Sequence, residues 1–154
     1  MPPARRVLSL WRRAEPGGPM IPATTLETVA GAGVVGDHTL GRMRHLTIVF
    51  EDDWRAAAAD LGRDDVDPVG RRANVLVSGT GDGGALVGST IRVGAVVVEV
   101  KGVTAPCPVM DRAAQGMQET LKSDARGGVW GRIVAGGAIR VGDALTVESG
   151  ASAR

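Results

Sequence analysis

The sequence predicts a mainly β protein with a few helices, an antiparallel-rich barrel or sandwich with helices set between strands. Three observations lead there. Roughly eight or nine short segments carry strand chemistry, β-branched and often alternating. Only two segments, 52–61 and 111–122, switch to helical spacing. Glycine turns separate the segments, with 23 glycines in 154 residues, and strand and helix do not alternate regularly.

Residues 6–11 read as a first short strand, and 15–22 (Glu-Pro-Gly-Gly-Pro-Met-Ile-Pro) as a loop. A second strand is expected over 24–29. Residues 31–41 are glycine-rich and carry Gly36-Asp37-His38. Residues 45–50 are β-branched and aromatic, which suits a strand. The period then changes. Trp54, Ala57, Ala58 and Leu61 share one helix face, with Glu51, Asp52 and Asp53 at the start and Gly62 just past the end. A charged loop over 63–70 leads to a strand over 73–78. Residues 79–84 (Gly-Thr-Gly-Asp-Gly-Gly) lack the Gly-Lys-Ser/Thr ending of a phosphate loop and read as a turn.

Segments 88–99 and 137–148 look alike, each a strand, a glycine turn and a second strand, and are read as two hairpins. Ile91 and Val93 share a face around Arg92, and Ile139 and Val141 do so around Arg140, so both arginines are expected in solvent. The second helix, 111–122, has Ala114, Met117 and Leu121 on one face, Asp111 as N-cap and Gly116 as a weak point. A loop over 123–128 and a strand over 129–135 follow. One domain over 1–154 is expected, with its core at 7–148 and a flexible tail at 149–154.

The lone cysteine, Cys107, sits between Pro106 and Pro108, where the strand ending near Val100 gives way to the second helix. Each proline fixes its own φ and biases its predecessor toward extended geometry. Two readings stand. A free cysteine often simply packs in a core. A thiol near a helix N-terminus instead favours thiolate, which binds a soft metal or attacks an electrophile.

The hydrophobic fraction of 44% suffices for a core, and the net charge of +1 gives no reason to expect a nucleic-acid or membrane surface. Two of the 18 basic residues are lysines, Lys101 and Lys122; the rest are arginine, the better fork for phosphate or carboxylate. Aromatics at 3% argue against base-stacking platforms. A single cysteine makes no internal disulfide and fits a reducing compartment. The apolar run at 7–11 is too short for a signal or a membrane span, so a soluble cytoplasmic protein is expected.

An ordered series of segments carries a resemblance over about 7–148. It comprises Gly17-Gly18-Pro19-Met20, Gly36-Asp37-His38, Arg72-Ala73-Asn74-Val75, 88–94, Pro106-Cys107-Pro108-Val109-Met110, 127–132 and 137–143. In order and spacing the chain resembles the MOSC domain, the C-terminal domain type of molybdenum-cofactor sulfurases. The domain also occurs as stand-alone bacterial proteins and in amidoxime-reducing enzymes. The resemblance implies a MOSC-like β-barrel. It also implies that Cys107 matches the family's cysteine, which binds molybdenum in the reductases or carries sulfur in proposed transfer roles. The metal would be held on a pterin (molybdopterin) with a phosphate tail. Many relatives show Asp-x-His where His38 here follows Asp37 directly. The sulfurases' pyridoxal-phosphate lobe has no counterpart here, so no such site of the chain's own is expected.

Candidate residues follow. Cys107 is the candidate metal ligand, and Asp37 and His38 join it as candidate catalytic groups, against the reading of an Asp-capped turn with an exposed histidine. Arg72, Asn74, Arg126 and Arg132 are candidates to bind the cofactor. Against this, Asn74 in an apolar run needs hydrogen-bond partners of its own, and the arginines could be plain surface charges. His45 and Asp143 read as structural. Three functions are weighed. The first is a molybdenum-dependent reductase of N-hydroxylated compounds, with a small-molecule substrate and a separate redox partner. The second is a sulfur carrier charged by a cysteine desulfurase on Cys107. The third is a non-catalytic binding module.

Overall fold

The structure is a computed structural model and describes residues 4–149. Its strands are β1 (Arg5–Arg12), β2 (Ile21–Ala23), β3 (Thr25–Val29), β4 (Gly33–Val34), β5 (Leu46–Phe50), β6 (Val75–Val77), β7 (Thr90–Val93), β8 (Val96–Val103), β9 (Val129–Ala135), β10 (Gly137–Arg140) and β11 (Ala144–Ser149). The helices are α1 (Glu51–Ala59) and α2 (Met117–Thr120), joined by four short 3₁₀ turns. No described helix is long and apolar enough to cross a membrane.

Seven strands close on themselves in the order β11-β7-β8-β9-β5-β6-β1, and β2 extends the sheet beyond β1. Closure comes from β1 against β11, where Arg5 faces Leu145 and Arg6 faces Ala144. Backbone bonds from Val7 N to Asp143 O and from Gly142 N to Val7 O, each 2.8 Å, continue the seam. The closed seam makes the fold a barrel rather than a sandwich. Every pairing in it is antiparallel except β5 with β6, which α1 connects.

Alternation explains the walls. In β8, Val96, Val98 and Val100 point inward while Val97, Glu99 and Lys101 do not. β5 is buried almost throughout because it is covered twice. Leu46, Ile48 and Phe50 join the barrel core, and Val49 joins a second cluster with Trp54, Ala57 and Ala58 of α1. Full burial of each such side chain contributes about 1.5–3 kcal/mol. Trp54 also donates from Nε1 to Val66 O at 2.8 Å, which satisfies its one polar atom.

The structure departs from the sequence reading in four places. The helix expected over 111–122 is instead a 3₁₀ turn, Pro108–Arg112, followed by the single turn of α2. Gly116 breaks it with φ +99°, a conformation other residues adopt only under strain. Its apolar face survives, since Ala114, Met117 and Leu121 are all buried in the second cluster. Asp111 still caps, accepting the Gln118 N–H at 2.9 Å.

The second departure is at 137–148, which forms no hairpin. β10 pairs with β3, Ile139 facing Leu26, while β11 joins the barrel. The alternation fails at Val141, which is 48% exposed and donates its N–H to Thr24 O. Asp143 Oδ2 accepts the Arg140 N–H at 2.8 Å, and the resulting turn passes the chain from one sheet to the other. β10, β3 and β4 form a separate three-stranded sheet whose Leu26, Val34 and Ile139 enter the barrel core. Third, the strand expected over 73–78 is trimmed to β6. Fourth, the loop expected over 15–22 ends in β2. The expected tail lies outside the described residues beyond Ser149, which still belongs to β11.

Candidate functional site

After β8 ends at Val103, the chain lies along the turn that precedes β9. Thr104 donates its N–H to Gly128 O at 2.8 Å. Cys107 is extended (φ −125°, ψ 171°), and Pro108 opens the 3₁₀ turn after it. Its sulfur is exposed and has no hydrogen bond among the described residues. Of the two readings of this cysteine, the packed one does not describe it.

Arg71 holds the cysteine loop from below. It ends a 3₁₀ turn, Pro68–Arg71, capped by Asp67, whose Oδ1 accepts the Val69 N–H at 2.9 Å. Arg71 is only 6% exposed. Its Nε donates to Gly127 O at 2.6 Å, Nη2 to Thr104 O at 3.2 Å, and Nη1 reaches Met110 Sδ at 3.3 Å. One side chain thus ties together the exit of β8, the entry to β9 and the turn after Cys107. Gly127 is required here, because a Cβ would collide with Thr104 O. Burial pulls the guanidinium down to about 10, opposed by the nearby Cys107 sulfur and aided by Arg44. Arg71 is therefore cationic at neutral pH, yet no carboxylate pairs with it among the described residues. Beside it lies a cavity of about 30 Å³ between Thr47, Ile48, Arg71, Arg72, Thr104 and Gly127. Thr104 Oγ1 is buried without a partner among the described residues.

Arg72 goes the other way. It adopts a left-handed backbone (φ 62°), and its Nη2 donates to Gly18 O. Its pKa is lowered by burial, then by the charges of Arg13 and Arg112. His38 is lowered by burial first, then by Arg13, with Asp37 opposing and Arg42 and Arg72 adding. Arginine charge thus spans the ground from the Asp37–His38 loop to the turn after Cys107.

The Asp37–His38 loop is tightly bonded. Asp37 Oδ1 accepts from Arg13 N at 2.8 Å and Asn74 Nδ2 at 3.3 Å. Its Oδ2 accepts from Thr39 N and Thr39 Oγ1. His38 Nε2 lies 2.7 Å from Arg13 Nη2, so Nε2 accepts and the ring proton sits on Nδ1. Asn74 Oδ1 accepts from Thr47 N and Oγ1, and its amide also donates to Trp11 O. It fastens β5, β1 and the Asp37 loop together.

Arg126 and Arg132 are committed elsewhere. Arg126 Nη1 bonds Asp60 Oδ2 at 2.7 Å and Thr120 O at 3.2 Å, strapping the end of α1 to the end of α2. Arg132 Nη1 donates to Met43 O at 2.8 Å and lies opposite Glu99 in the sheet. The sequence reading did not single out Arg71, Arg13 or Arg112. For Arg71 a signal existed: Asp67-Pro68 is an N-cap followed by an N1 proline, which announces a turn ending at that arginine. Among the described residues no group of three or more His, Cys, Asp and Glu stands together to hold a metal ion.

Comparisons agree with this architecture. Among solved structures, the YuaD protein of Bacillus subtilis superposes with a TM-score of 0.82 at 20% identity, over 96% of this chain and 97% of that one. YiiM from Escherichia coli gives 0.68 at 15% identity, over 94% and 70%. YiiM from Geobacillus stearothermophilus gives 0.70 at 14%, over 93% and 74%. No curated protein matches the chain. At such identities the likeness speaks to the fold. The family is carried by a sequence model, the MOSC domain, that matches residues 35–146. That stretch runs from the Asp37 loop through the Cys107 turn to β11, and by it the chain belongs to the MOSC domain family, which is associated with binding of the molybdenum cofactor.

Proposed function

We propose that the protein binds the molybdenum cofactor with Cys107 as its only protein ligand to the metal, and reduces N-hydroxylated compounds with electrons from a separate donor. One observation carries this reading: an exposed thiol stands at the turn that Arg112 ends, and Arg112 shares its field with Arg72 and Arg13. The residues fit the group. A cysteine sulfur is a soft ligand suited to molybdenum, and Arg72, Arg13 and Arg112 are fit to grip a phosphate. Cys107 would hold the metal, and the arginines would bind and orient the pterin tail. When bound, the group supplies two-electron chemistry. The balance is R–NHOH plus two electrons and two protons giving R–NH₂ and water. Burial, then Arg13, lowers His38 below its ordinary 6.5, and the ring N–H at Nδ1 would donate a hydrogen bond to orient the substrate. A separate donor would supply the electrons.

The test is turnover of an N-hydroxylated amidine by protein made in a cofactor-producing host, with a reduced viologen dye as donor. Product formation by wild type, absent in Cys107→Ser, is expected. Inactive wild type that carries molybdenum would remove the reductase assignment.

The freedom of the Cys107 sulfur also supports a second reading, a sulfur carrier. The thiolate would take the terminal sulfur of a desulfurase persulfide, whose own thiolate leaves. Incubation with a cysteine desulfurase and cysteine should then add the mass of one sulfur at Cys107, removed by reductant. An unchanged mass rules the carrier out.

A further inference from the structure

We propose that the cavity beneath the cysteine loop is a binding site for a small monovalent anion of halide size, held by Arg71 and Thr104. This does not rest on the cofactor reading. It starts from an imbalance of charge. Arg71 is 6% exposed and cationic, and a buried charge stays costly even after relaxation; the opposing influence on it is the exposed Cys107 sulfur, and no carboxylate pairs with it among the described residues. Proteins meet that cost with a carboxylate or with a bound ion. The protein acceptors around Arg71 are two backbone carbonyls and a thioether, none of them charged. A guanidinium has five N–H donors, and those three contacts leave two without an acceptor among the described residues.

The second observation is independent of the first. Thr104 Oγ1 is buried and has no partner among the described residues, although a hydroxyl can turn to donate wherever an acceptor stands. Both groups line the same cavity of about 30 Å³. A space of that size admits about one or two water-sized particles. Chloride and bromide are of that size, whereas phosphate and sulfate are larger. Arg72 lines the same space and adds its positive charge, and no carboxylate lines it. The site therefore offers donors, cationic charge and a size limit. An anion there would also brace the three segments that Arg71 ties together, and with them the cysteine loop.

The test is thermal unfolding of the full chain at fixed ionic strength, with chloride or bromide replacing gluconate. A saturable rise in Tm of about 3–5 °C is expected, as for a ligand well above its Kd on a protein of this size. Thr104→Val keeps the cation and loses the hydroxyl, so it should need about tenfold more halide for the same shift. Arg71→Met should show no saturable shift; if it does not fold, Thr104→Val decides alone. Crystals soaked in bromide should show one anomalous peak in the cavity. Equal Tm in chloride and gluconate, a response that stays linear in salt, a larger saturable shift with sulfate, or a cavity holding water only would each overturn the site.

Discussion

Arg71 and Arg72 are neighbours in the chain with opposite fates. The left-handed backbone at Arg72 ends the 3₁₀ turn, so one side chain goes under the cysteine loop and the other reaches Gly18. Nothing in the Arg-Arg pair itself says which is buried; that is set by the turn that Asp67 and Pro68 begin. For Cys107 the flanking prolines marked a rigid segment but left both readings open, and its exposure decides against the packed one. Arg126 and Arg132 were not, because a carboxylate far along the chain, Asp60, and a carbonyl in the 42–45 loop claim them. The difference is measurable. Arg72→Ala should weaken cofactor retention by about tenfold to a hundredfold, the worth of one charge-assisted bond to phosphate. Arg126→Ala and Arg132→Ala should retain the cofactor as wild type does. Metal content after equal dialysis reads both outcomes.

At the scale of elements, amphipathic spacing located α1 to within two residues but overran α2. Spacing reports which side chains are buried, and Ala114, Met117 and Leu121 are; it does not report the backbone break at Gly116. The double glycine before β9, Gly127-Gly128, has a steric reason. At Gly128 a Cβ would collide with Ile48 O, and φ is +94°. Gly128→Ala should therefore cost about 3 kcal/mol or more, since strain and collision act together. A lowered urea midpoint with an unchanged slope checks it. The cysteine loop, which bonds Gly128 through Thr104 N, should loosen as well, seen as faster Cys107 alkylation.

For the whole molecule, strand alternation gave the barrel walls, while partners across the chain stayed hidden. Ile139 carries the same local pattern whether it faces β11 in a hairpin or Leu26 in another sheet, and only the turn at Asp143 decides. His45 adds a global consequence. It is 1% exposed, its Nδ1 accepts the Ile133 N–H at 2.9 Å, and its Nε2 is buried without a partner among the described residues. A second proton would have to break the Nδ1 bond. Burial first, then Arg132, lowers its pKa below the ordinary 6.5. The unfolded chain then binds the proton that the folded chain refuses, so stability present above pH 6.5 is lost as pH falls below it. His38 acts in the same direction. Urea unfolding at pH 7.5 and 5.5 should show the loss, and His45→Asn should flatten it; a pH-independent wild type would exclude this role.

Molybdenum content tests the central claim most directly. Protein purified from a host that makes the cofactor should carry about one molybdenum per chain, the number a single thiolate ligand allows. Cys107→Ser, made and purified identically, should carry almost none. Wild type free of molybdenum, or a serine variant that keeps it fully, would contradict the assignment of Cys107 as the metal's ligand.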